Sequence, residues 1–383
     1  MKGLLMNLII FVGQDRFFLS HVKDRAEFFA QKGFKVYVLG KKTDDRYVKE
    51  IESLGFAFYD TKIQRDDTNP LSAIKSLIKI ISIYRNIKPD VSFHLGAKAI
   101  FLGTIAAKMS SKTAGIVNAP IGLGHVFICK TLKAKILRNV VVCLYKLLLN
   151  PNNSRVVVEN QDDIHFFLNL NAVKAEDIYL IPGAGINTRV FLPRNKLGNN
   201  EGCTVIMVAR LIREKGVYEF ISAAEEAYKH KLPIKFVLVG SPDFSNPSSL
   251  TDCEYKNLLN NPAIKCEGFT ENVLPLLQTA DIACLPSYRE GLPRSLIEAC
   301  SCGLPIITTD TVGCREIVIN DNGLIVPVGD EKALFEAIKT LAFSRKQREI
   351  MGLKSRSLAV ERFETNKISE KTYQVMESLY VRK

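Results

Sequence analysis

Short apolar runs alternate with amphipathic stretches of helical period along the whole chain. This alternation is typical of βα units, in which parallel strands lie between layers of helices. Helices are predicted over residues 15–31, 71–86 and 97–110, among others, and throughout the tail from Asp330. The strands are predicted at residues 4–12, 35–39, 91–94, 115–118, 155–158 and 178–181 in the first half, and at residues 204–208, 235–239, 264–267, 282–285 and 306–309 in the second.

The two halves are separated by a segment with the composition of a linker. It contains Pro182-Gly183-Ala184-Gly185, then Pro193 and the polar run 194–202. We therefore predict an α/β protein with two Rossmann-like, doubly wound domains, residues 1–187 and 188–383. The last helix, residues 366–383, is expected to pack back on the first domain. Ligands bind at the carboxyl ends of the strands in such sheets, so we expect the two domains to face each other across a cleft.

The positive charge of the chain is concentrated in its first half. The net charge is +12, and residues 61–150 hold 14 Lys and Arg residues but only 3 acidic residues. No acidic residue occurs from Val91 to Val158. A one-sided basic field indicates an anionic partner for this half, whether phosphate, anionic lipid or nucleic acid.

The cysteines and the apolar segments argue against several other classes of protein. The nine cysteines show no disulfide framework, and Cys300-Ser301-Cys302 lacks the second ligand pair of a zinc site. Free thiols suit a reducing compartment. The apolar residues 1–13 predict a first strand, not a cleaved signal peptide. Residues 140–149 are too few to span a bilayer, so we expect no membrane-crossing segment.

The most informative stretch is residues 286–299, PSYREGLPRSLIEA, which follows a predicted strand and opens a helix. Gly291 allows the backbone to come close to a ligand, and Pro293 suits the first turn of a helix. The free amides of Ser295 and Leu296 would then form an anion site at the helix N-terminus.

Charged side chains flank this anion site and a second predicted strand end. Glu290 and Glu298 can accept hydrogen bonds from sugar or ribose hydroxyls, although a pair of ordinary surface glutamates is the simpler interpretation of this motif alone. In the segment 208–216, VARLIREKG, Arg210 lies at a strand end and Lys215 lies before a helix. Both are well placed for charge-assisted hydrogen bonds to a diphosphate, although such a pair taken alone is also typical of a solvated surface.

Together these segments resemble the retaining glycosyltransferases of family four, which have the GT-B architecture. The resemblance covers nearly the whole chain. In the second domain it is carried by Arg210-x4-Lys215-Gly216, by Glu290-x7-Glu298 with Gly291-Leu292-Pro293, by Gly303-Leu304-Pro305, by Gly313-Cys314-Arg315-Glu316 and by Asn322-Gly323-Leu324-Ile325-Val326-Pro327.

This resemblance implies a nucleotide-sugar donor in the second domain. Arg210 and Lys215 would bind its diphosphate, and Glu290 would contact the donor sugar near the reacting centre. The implied catalytic set is completed by His94 of the first domain. The residues implied in donor binding are Gly240, Ser241, Gly268 and Phe269 beside the base, Gly291, Leu292, Pro293, Ser295 and Leu296 around the diphosphate and sugar, and Glu298 on the ribose.

The N-terminal half resembles the branch of this family that extends undecaprenyl-diphosphate-linked sugars in O-antigen, capsule and N-glycan precursors. The matching segments are residues 93–99 (FHLGAKA), 122–127 (GLGHVF), 159–162 (ENQD) and 182–186 (PGAGI). The resemblance implies that His94 and Lys98 face the cleft and its phosphates, whereas a lone histidine at a strand end more often packs in the interior. Gly124, His125 and Asn160 are implied on the acceptor side. His125 occupies a position where the pattern has an aromatic residue, so its role stays open.

A basic helix over residues 131–149 fits a lipid acceptor. Its apolar stripe and basic face predict either a core helix with a solvated basic side or a helix on a membrane surface. The preceding helix, residues 71–86, repeats the pattern, which favours docking on anionic lipid. The apolar positions are Leu132, Ile136, Val140, Cys143 and Leu147 in the later helix and Ile74, Ile78 and Ile81 in the earlier one; the basic positions are Lys135, Arg138 and Lys146, and Lys75 and Lys79.

The family pattern implies transfer with retention by a front-side path, in which the departing diphosphate helps to deprotonate the acceptor hydroxyl. The chain has no Asp-x-Asp motif, so we expect no catalytic metal and no other cofactor. The expected partners are a UDP-sugar, a polyprenyl-diphosphate-linked acceptor and an anionic membrane surface, but no nucleic acid. The expected donor is a UDP-N-acetylhexosamine, especially N-acetylgalactosamine, with UDP-galactose next. We expect a peripheral protein on the cytoplasmic face of the bacterial inner membrane.

Two other functions stay open at this point. A GT-B-type epimerase of nucleotide sugars would need the same donor site but no lipid-facing basic half. A nucleic-acid-binding protein would explain the charge of +12 and would bind nucleic acid in a salt-sensitive way. It would leave the block from Glu290 to Glu298 unexplained.

Overall fold

The computed structural model describes residues 6–63, 70–110, 115–121, 132–194, 202–244 and 246–380. The chain divides into two compact units, Met1–Ala184 together with Thr365–Lys383, and Gly185–Glu364. Each unit contains a parallel β-sheet flanked by helices.

The first unit has a seven-stranded sheet in the order β3-β2-β1-β4-β5-β6-β7. This order reverses its direction between β1 and β4, which marks the switch point where doubly wound sheets bind ligands. The elements are β1 (Met6–Gln14), α1 (Asp15–His21), α2 (Lys23–Gln31), β2 (Phe34–Lys41), α3 (Asp45–Ser53), β3 (Ala57–Asp60), α4 (Pro70–Ile87), β4 (Val91–Leu95), α5 (Ala97–Met109), β5 (Gly115–Ala119), α6 (Leu132–Leu148), β6 (Ser154–Val158), α7 (Gln161–Asn169) and β7 (Ile178–Leu180).

The second unit has a six-stranded sheet in the order β10-β9-β8-β11-β12-β13, with its switch point between β8 and β11. Its elements are β8 (Cys203–Val208), α8 (Val217–Lys229), β9 (Ile234–Val239), α9 (Asp252–Leu259), β10 (Ile264–Gly268), α10 (Leu274–Thr279), β11 (Ile282–Leu285), α11 (Arg294–Ser301), β12 (Ile306–Thr309), β13 (Gly323–Val326), α12 (Glu331–Ala342) and α13 (Arg345–Arg362). The chain then returns to the first unit as α14 (Thr365–Glu377).

The central strands are buried on both faces, which explains their nearly continuous apolar sequences. In β1, Leu8, Ile10 and Val12 pack into one cluster of buried residues, which also contains residues of α14. Ile9 and Phe11 point to the opposite face and pack into a second cluster with residues of α4 and α5. Because successive side chains of β1 point to opposite faces of the sheet, this one strand contributes to two hydrophobic cores.

Every predicted strand is confirmed, except that residues 4 and 5 lie outside the described part of the chain. Two strands escaped prediction, β3 and β13. Both are short edge strands with partly exposed side chains, so they lack a continuous apolar run. The helix predicted over residues 15–31 is interrupted at Val22, whose φ of −126° is not helical.

The segment after α14 offers a test of how the C-terminus contributes to the first unit. Leu379 is buried, and a Cβ added to Gly115 of β5 would lie only 2.7 Å from its side chain. We expect Leu379→Ala to lower the free energy of unfolding by about 2–5 kcal/mol, because it leaves a cavity. Leu353→Ala is the matched control, because Leu353 is exposed on α13. Urea unfolding followed by circular dichroism would measure both, and equal effects would contradict the packing.

Candidate active site

The carboxyl ends of β8, β9 and β10 are joined by backbone hydrogen bonds. The amide of Gly240 donates to the carbonyl of Gly268 (2.8 Å), and the amide of Leu211 donates to the carbonyl of Ser241 (3.1 Å). Gly240 has a φ of +145°, and a Cβ there would collide with the carbonyl of Ala209. This position therefore requires glycine, and it brings three predicted donor residues (Gly240, Ser241, Gly268) to the edge where Arg210 leaves β8.

Arg210 is held at this edge by an acidic residue that the sequence did not single out. Its Nη1 donates to Oδ2 of Asp243 at 2.8 Å. Asp243 is itself held in place, because its backbone amide donates a hydrogen bond to Oγ of Ser249 at 2.9 Å. Phe269, the last of the predicted base contacts, lies exposed directly after β10.

Lys215 and Glu290 form a short ion pair. The ammonium of Lys215 donates to both carboxylate oxygens of Glu290, at 2.5 and 2.7 Å. Gly216 allows this approach, because its φ is +75° and a Cβ there would collide with the carbonyl of Pro286. Two residues predicted in different segments of the donor site are thus in direct contact.

The loop that carries Glu290 is fixed on two sides. On one side, the hydroxyl of Ser287 and the amide of Tyr288 donate to the carbonyl of Glu214, at 2.8 and 2.9 Å. On the other side, the amide of Glu290 donates to the carbonyl of Val312 at 3.1 Å. Gly313, with a φ of +78°, packs so closely that a Cβ would meet the carbonyls of residues 290 and 291. The carboxylate therefore sits on a rigid support.

The helix N-terminus predicted to bind an anion differs from the prediction in two details. Pro293 is the N-cap residue of α11 and not a residue of its first turn. The amide of Leu296 already donates to the carbonyl of Pro293 at 3.1 Å, so the expectation that this amide is free is wrong. Ser295 lies in the first turn beside it, and Leu292 packs into the core of the unit.

Glu298 is a nearly buried carboxylate inside α11. Its Oε1 accepts a hydrogen bond from Nε of Arg294 at 2.8 Å. Burial raises the pKa of Glu298 above its ordinary value, and Arg294 opposes this shift. The second unit therefore holds three ion pairs along its predicted donor residues: Arg210–Asp243, Lys215–Glu290 and Arg294–Glu298.

His94 of the first unit is wholly buried, so the expectation that its side chain faces a ligand cleft is wrong. Nε2 lies 2.9 Å from the hydroxyl of Tyr84, and Nδ1 lies 2.8 Å from Oδ1 of Asn118. The amide nitrogen of Asn118 donates to the carbonyl of Leu149 (2.8 Å), so its oxygen accepts from Nδ1–H and Nε2 accepts from Tyr84. Burial lowers the pKa of His94 to about 4, which keeps the ring neutral.

The remaining acceptor-side predictions have mixed outcomes. Lys98 is exposed near the start of α5. Asn160 is fully buried as the N-cap residue of α7, where its Oδ1 accepts from the amide of Asp163 at 2.8 Å. Its structural role as a helix cap corrects the expectation that it contacts an acceptor. Gly124 and His125 lie outside the described residues.

Sequence reasoning missed Asp243, Glu214 and Arg294. Glu214 contributes a backbone carbonyl, which carries no sequence signal. Asp243 lies in the loop after β9, and only its nearness to a predicted strand end hinted at a role. Within the described ranges, no cluster of three or more His, Cys, Asp or Glu residues is arranged to hold a metal ion. No helix in those ranges combines the length and the apolarity needed to cross a bilayer.

Comparison with known proteins decides the family. The family model for group 1 glycosyl transferases matches residues 192–358, and the glycosyl transferase 4-like model matches residues 8–160. A relative from Campylobacter jejuni, N,N'-diacetylbacillosaminyl-diphospho-undecaprenol alpha-1,3-N-acetylgalactosaminyltransferase, is 31% identical over 316 residues, which cover 79% of this chain and 81% of its own. The chain belongs to the group 1 glycosyl transferases.

Two further comparisons agree with this family and its fold. The UDP-Gal:alpha-D-GlcNAc-diphosphoundecaprenol alpha-1,3-galactosyltransferase of Escherichia coli is 24% identical over 283 residues, covering 70% of this chain and 71% of its own. The crystal structure of Anabaena HepE in complex with UDP and glucose superposes with a TM-score of 0.79 at 18% identity, covering 97% of the enzyme and all of that chain. At this identity the superposition establishes the fold alone, and that fold is GT-B.

The geometry of Gly216 in the enzyme gives a test of how the site is assembled. We expect Gly216→Ala to destabilise the second unit by about 1–2 kcal/mol through its left-handed backbone and by about 1–3 kcal/mol more through the collision with Pro286. Gly55→Ala is the matched control, because Gly55 has a φ of +84° with nothing near the added Cβ. Urea unfolding measures the difference, and equal losses for the two variants would show that the close approach at Pro286 has no energetic weight.

Proposed function

We propose that the enzyme transfers a sugar, with retention at the anomeric carbon, from a UDP-sugar to a polyprenyl-diphosphate-linked acceptor. The observation that carries this proposal is the Lys215–Glu290 ion pair, with Arg210 on the same segment after β8, at the carboxyl ends of the strands. Two cations suit a diphosphate, and a rigidly held carboxylate suits the hydroxyls of a sugar attached to it.

The relatives support the choice of substrates. The C. jejuni relative is named as an N-acetylgalactosaminyltransferase acting on a diphospho-undecaprenol, and the E. coli relative as a galactosyltransferase using UDP-Gal on a diphosphoundecaprenol. UDP-N-acetylgalactosamine is therefore the first proposed donor, and UDP-galactose is the second.

The proposed reaction follows from the charges at the site. Oxygen of the acceptor hydroxyl bonds to the anomeric carbon as the bond from that carbon to the diphosphate breaks, and the proton passes to a diphosphate oxygen. Arg210 and Lys215 stabilise the negative charge that builds up on the departing diphosphate. Asp243 engages Nη1 of Arg210, and the guanidinium has further N–H donors for phosphate oxygens.

The proposal includes no metal ion, because the two cations supply the positive charge that Mg²⁺ provides in other phosphate sites. Glu290 accepts hydroxyl hydrogen bonds from the donor sugar and fixes the face from which the acceptor attacks. This arrangement of fixed charges needs little reorganisation during the reaction.

The transfer assay tests the function directly. Purified enzyme, with EDTA present, is offered UDP-N-acetylgalactosamine, UDP-galactose and GDP-mannose with a short polyprenyl-diphosphate-linked N-acetylglucosamine. We expect acceptor-dependent release of UDP, and Glu290→Gln should lower kcat by about 10²–10³-fold. Glu349→Gln is the control, because Glu349 forms an exposed ion pair on α13.

Three outcomes of this assay would contradict parts of the proposal. Equal turnover by Glu290→Gln would remove this carboxylate from the mechanism. Loss of activity with EDTA, restored by a divalent cation, would overturn the metal-free reaction. Conversion of the donor without any acceptor would favour the nucleotide-sugar epimerase.

The proposed acceptor lies in a membrane, and two helices of the first unit have the surface to reach it. The helices α4 and α6 both pack against α5. Their exposed apolar side chains match the predicted stripes with two exceptions: Ile81 is buried in the core, and the side chain of Leu132 lies outside the described residues. We propose that this face docks on an anionic bilayer. The exposed apolar residues are Ile74 and Ile78 on α4 and Ile136, Leu137, Val140 and Leu147 on α6; exposed lysines beside them are Lys75, Lys79, Lys135 and Lys146.

Vesicle binding tests this surface. We expect the enzyme to bind vesicles of phosphatidylglycerol and phosphatidylcholine more tightly than vesicles of phosphatidylcholine alone, since each lysine near the surface contributes about 1 kcal/mol. Leu147→Asp should weaken binding by about tenfold or more, because it removes apolar burial worth about 1.5–3 kcal/mol. Leu353→Asp is the matched control on the second unit. Equal binding by both variants in a sedimentation assay would place the membrane contact elsewhere.

A further inference from the structure

The Arg294–Glu298 pair is unusual for a helical ion pair because it is mostly buried. The exposed fractions of the two side chains are 28% and 12%, with Nε of Arg294 2.8 Å from Oε1 of Glu298. The same pair of residue types, at the same spacing and through the same atoms, opens α13: Arg345 and Glu349 lie 2.9 Å apart with exposed fractions of 54% and 43%. The two pairs thus differ mainly in burial.

Helix stability does not account for the buried pair. Arg294 is the first residue of α11, at the positive end of the helix dipole, and Glu298 lies toward the negative end. A pair in this order is less favourable to a helix than its reverse. The main effect of Arg294 is therefore on the charge of the Glu298 carboxylate and not on the stability of the helix.

We propose that Arg294 is a positioning residue that keeps Glu298 ionised and oriented, so that this carboxylate can accept hydrogen bonds from the donor ribose. The inference rests on the proposed function, because it needs a nucleotide-sugar donor whose ribose contacts Glu298, as the family resemblance implies. An ionised carboxylate accepts only, and its hydrogen bonds with hydroxyls are stronger than those of the neutral acid. Burial alone favours the neutral acid.

The other groups around Glu298 do not replace Arg294. Cys302, one turn further along, has its pKa raised to about 12 by burial and secondarily by Glu298, so it stays a neutral thiol. On α13, which packs against α11, Arg356 is engaged by the carbonyl and hydroxyl of Ser301. The neighbouring strands β11 and β12 contribute no charged side chain.

The pH dependence of donor binding distinguishes this role from a merely structural one. Calorimetry with UDP-N-acetylgalactosamine, UDP-galactose and GDP-mannose gives the dissociation constant across a range from acid to alkaline pH. Because the ionised carboxylate is the form that binds the ribose, donor binding is strong above the pKa of Glu298 and weakens below it. Burial already raises this pKa, and Arg294→Met raises it further. The acid limb is the pH range over which donor affinity falls as the pH is lowered, and we expect it to move to higher pH in this variant. Within that range the affinity should be about tenfold below that of the wild type, and it should recover toward alkaline pH.

Three variants complete the experiment. Arg294→Lys should restore much of the wild-type limb, because it keeps the positive charge. In Glu298→Gln the limb should be absent, and adding Arg294→Met should change nothing further. Arg345→Met removes the matched exposed pair and should leave donor binding unchanged.

The outcomes separate this inference from the function on which it rests. An unshifted acid limb in Arg294→Met, or a loss of affinity that is uniform with pH, overturns the role of Arg294 while the donor site stands. Failure of the wild type to bind any of the three donors overturns the proposed function and this inference with it. Thermal unfolding of each variant, followed by circular dichroism, identifies a variant that has lost its fold, and Arg294→Lys then decides the case.

Discussion

The ion pair between Lys215 and Glu290 is the interaction on which the candidate site depends. It joins two segments that are 75 positions apart in the chain. The pair forms only because Gly216 lets the backbone pass close to the carbonyl of Pro286. It also requires Gly313, against which the backbone of residues 290 and 291 packs. The edge of a sheet brings such segments near each other, but the close approach of these two side chains requires glycine at positions 216 and 313.

The charged side chains of the candidate donor site are balanced in charge before any donor arrives. Each cation is matched by a carboxylate: Asp243 for Arg210, Glu290 for Lys215 and Glu298 for Arg294. A diphosphate must therefore share or displace these partners and gains less than it would from isolated cations. In return, the side chains are held in place beforehand, which favours a fixed geometry during transfer.

The sequence allowed the strands and the sheet class to be predicted, because buried parallel strands leave clear apolar patterns. It also singled out Lys215 and Glu290, which the structure brings into contact. The edge strands β3 and β13 left no such pattern, since their side chains are half exposed. Asp243 could not be predicted, because its contact with Arg210 depends on how the loop after β9 folds back. The free amide expected at Leu296 failed for a similar reason, since backbone hydrogen bonding at a helix start depends on local dihedral angles.

His94 shows how a motif can be correct while its expected role is not. The residue links Tyr84 of α4 and Asn118 of β5, and Asn118 in turn binds the carbonyl that follows α6. Gly103 of α5 makes room for the ring, since a Cβ there would lie 2.7 Å from it. The neutral imidazole thus ties to the sheet the two helices that carry the exposed apolar face. Because both of its ring nitrogens are engaged, His94 would affect the proposed membrane-bound substrate only through the placement of those helices.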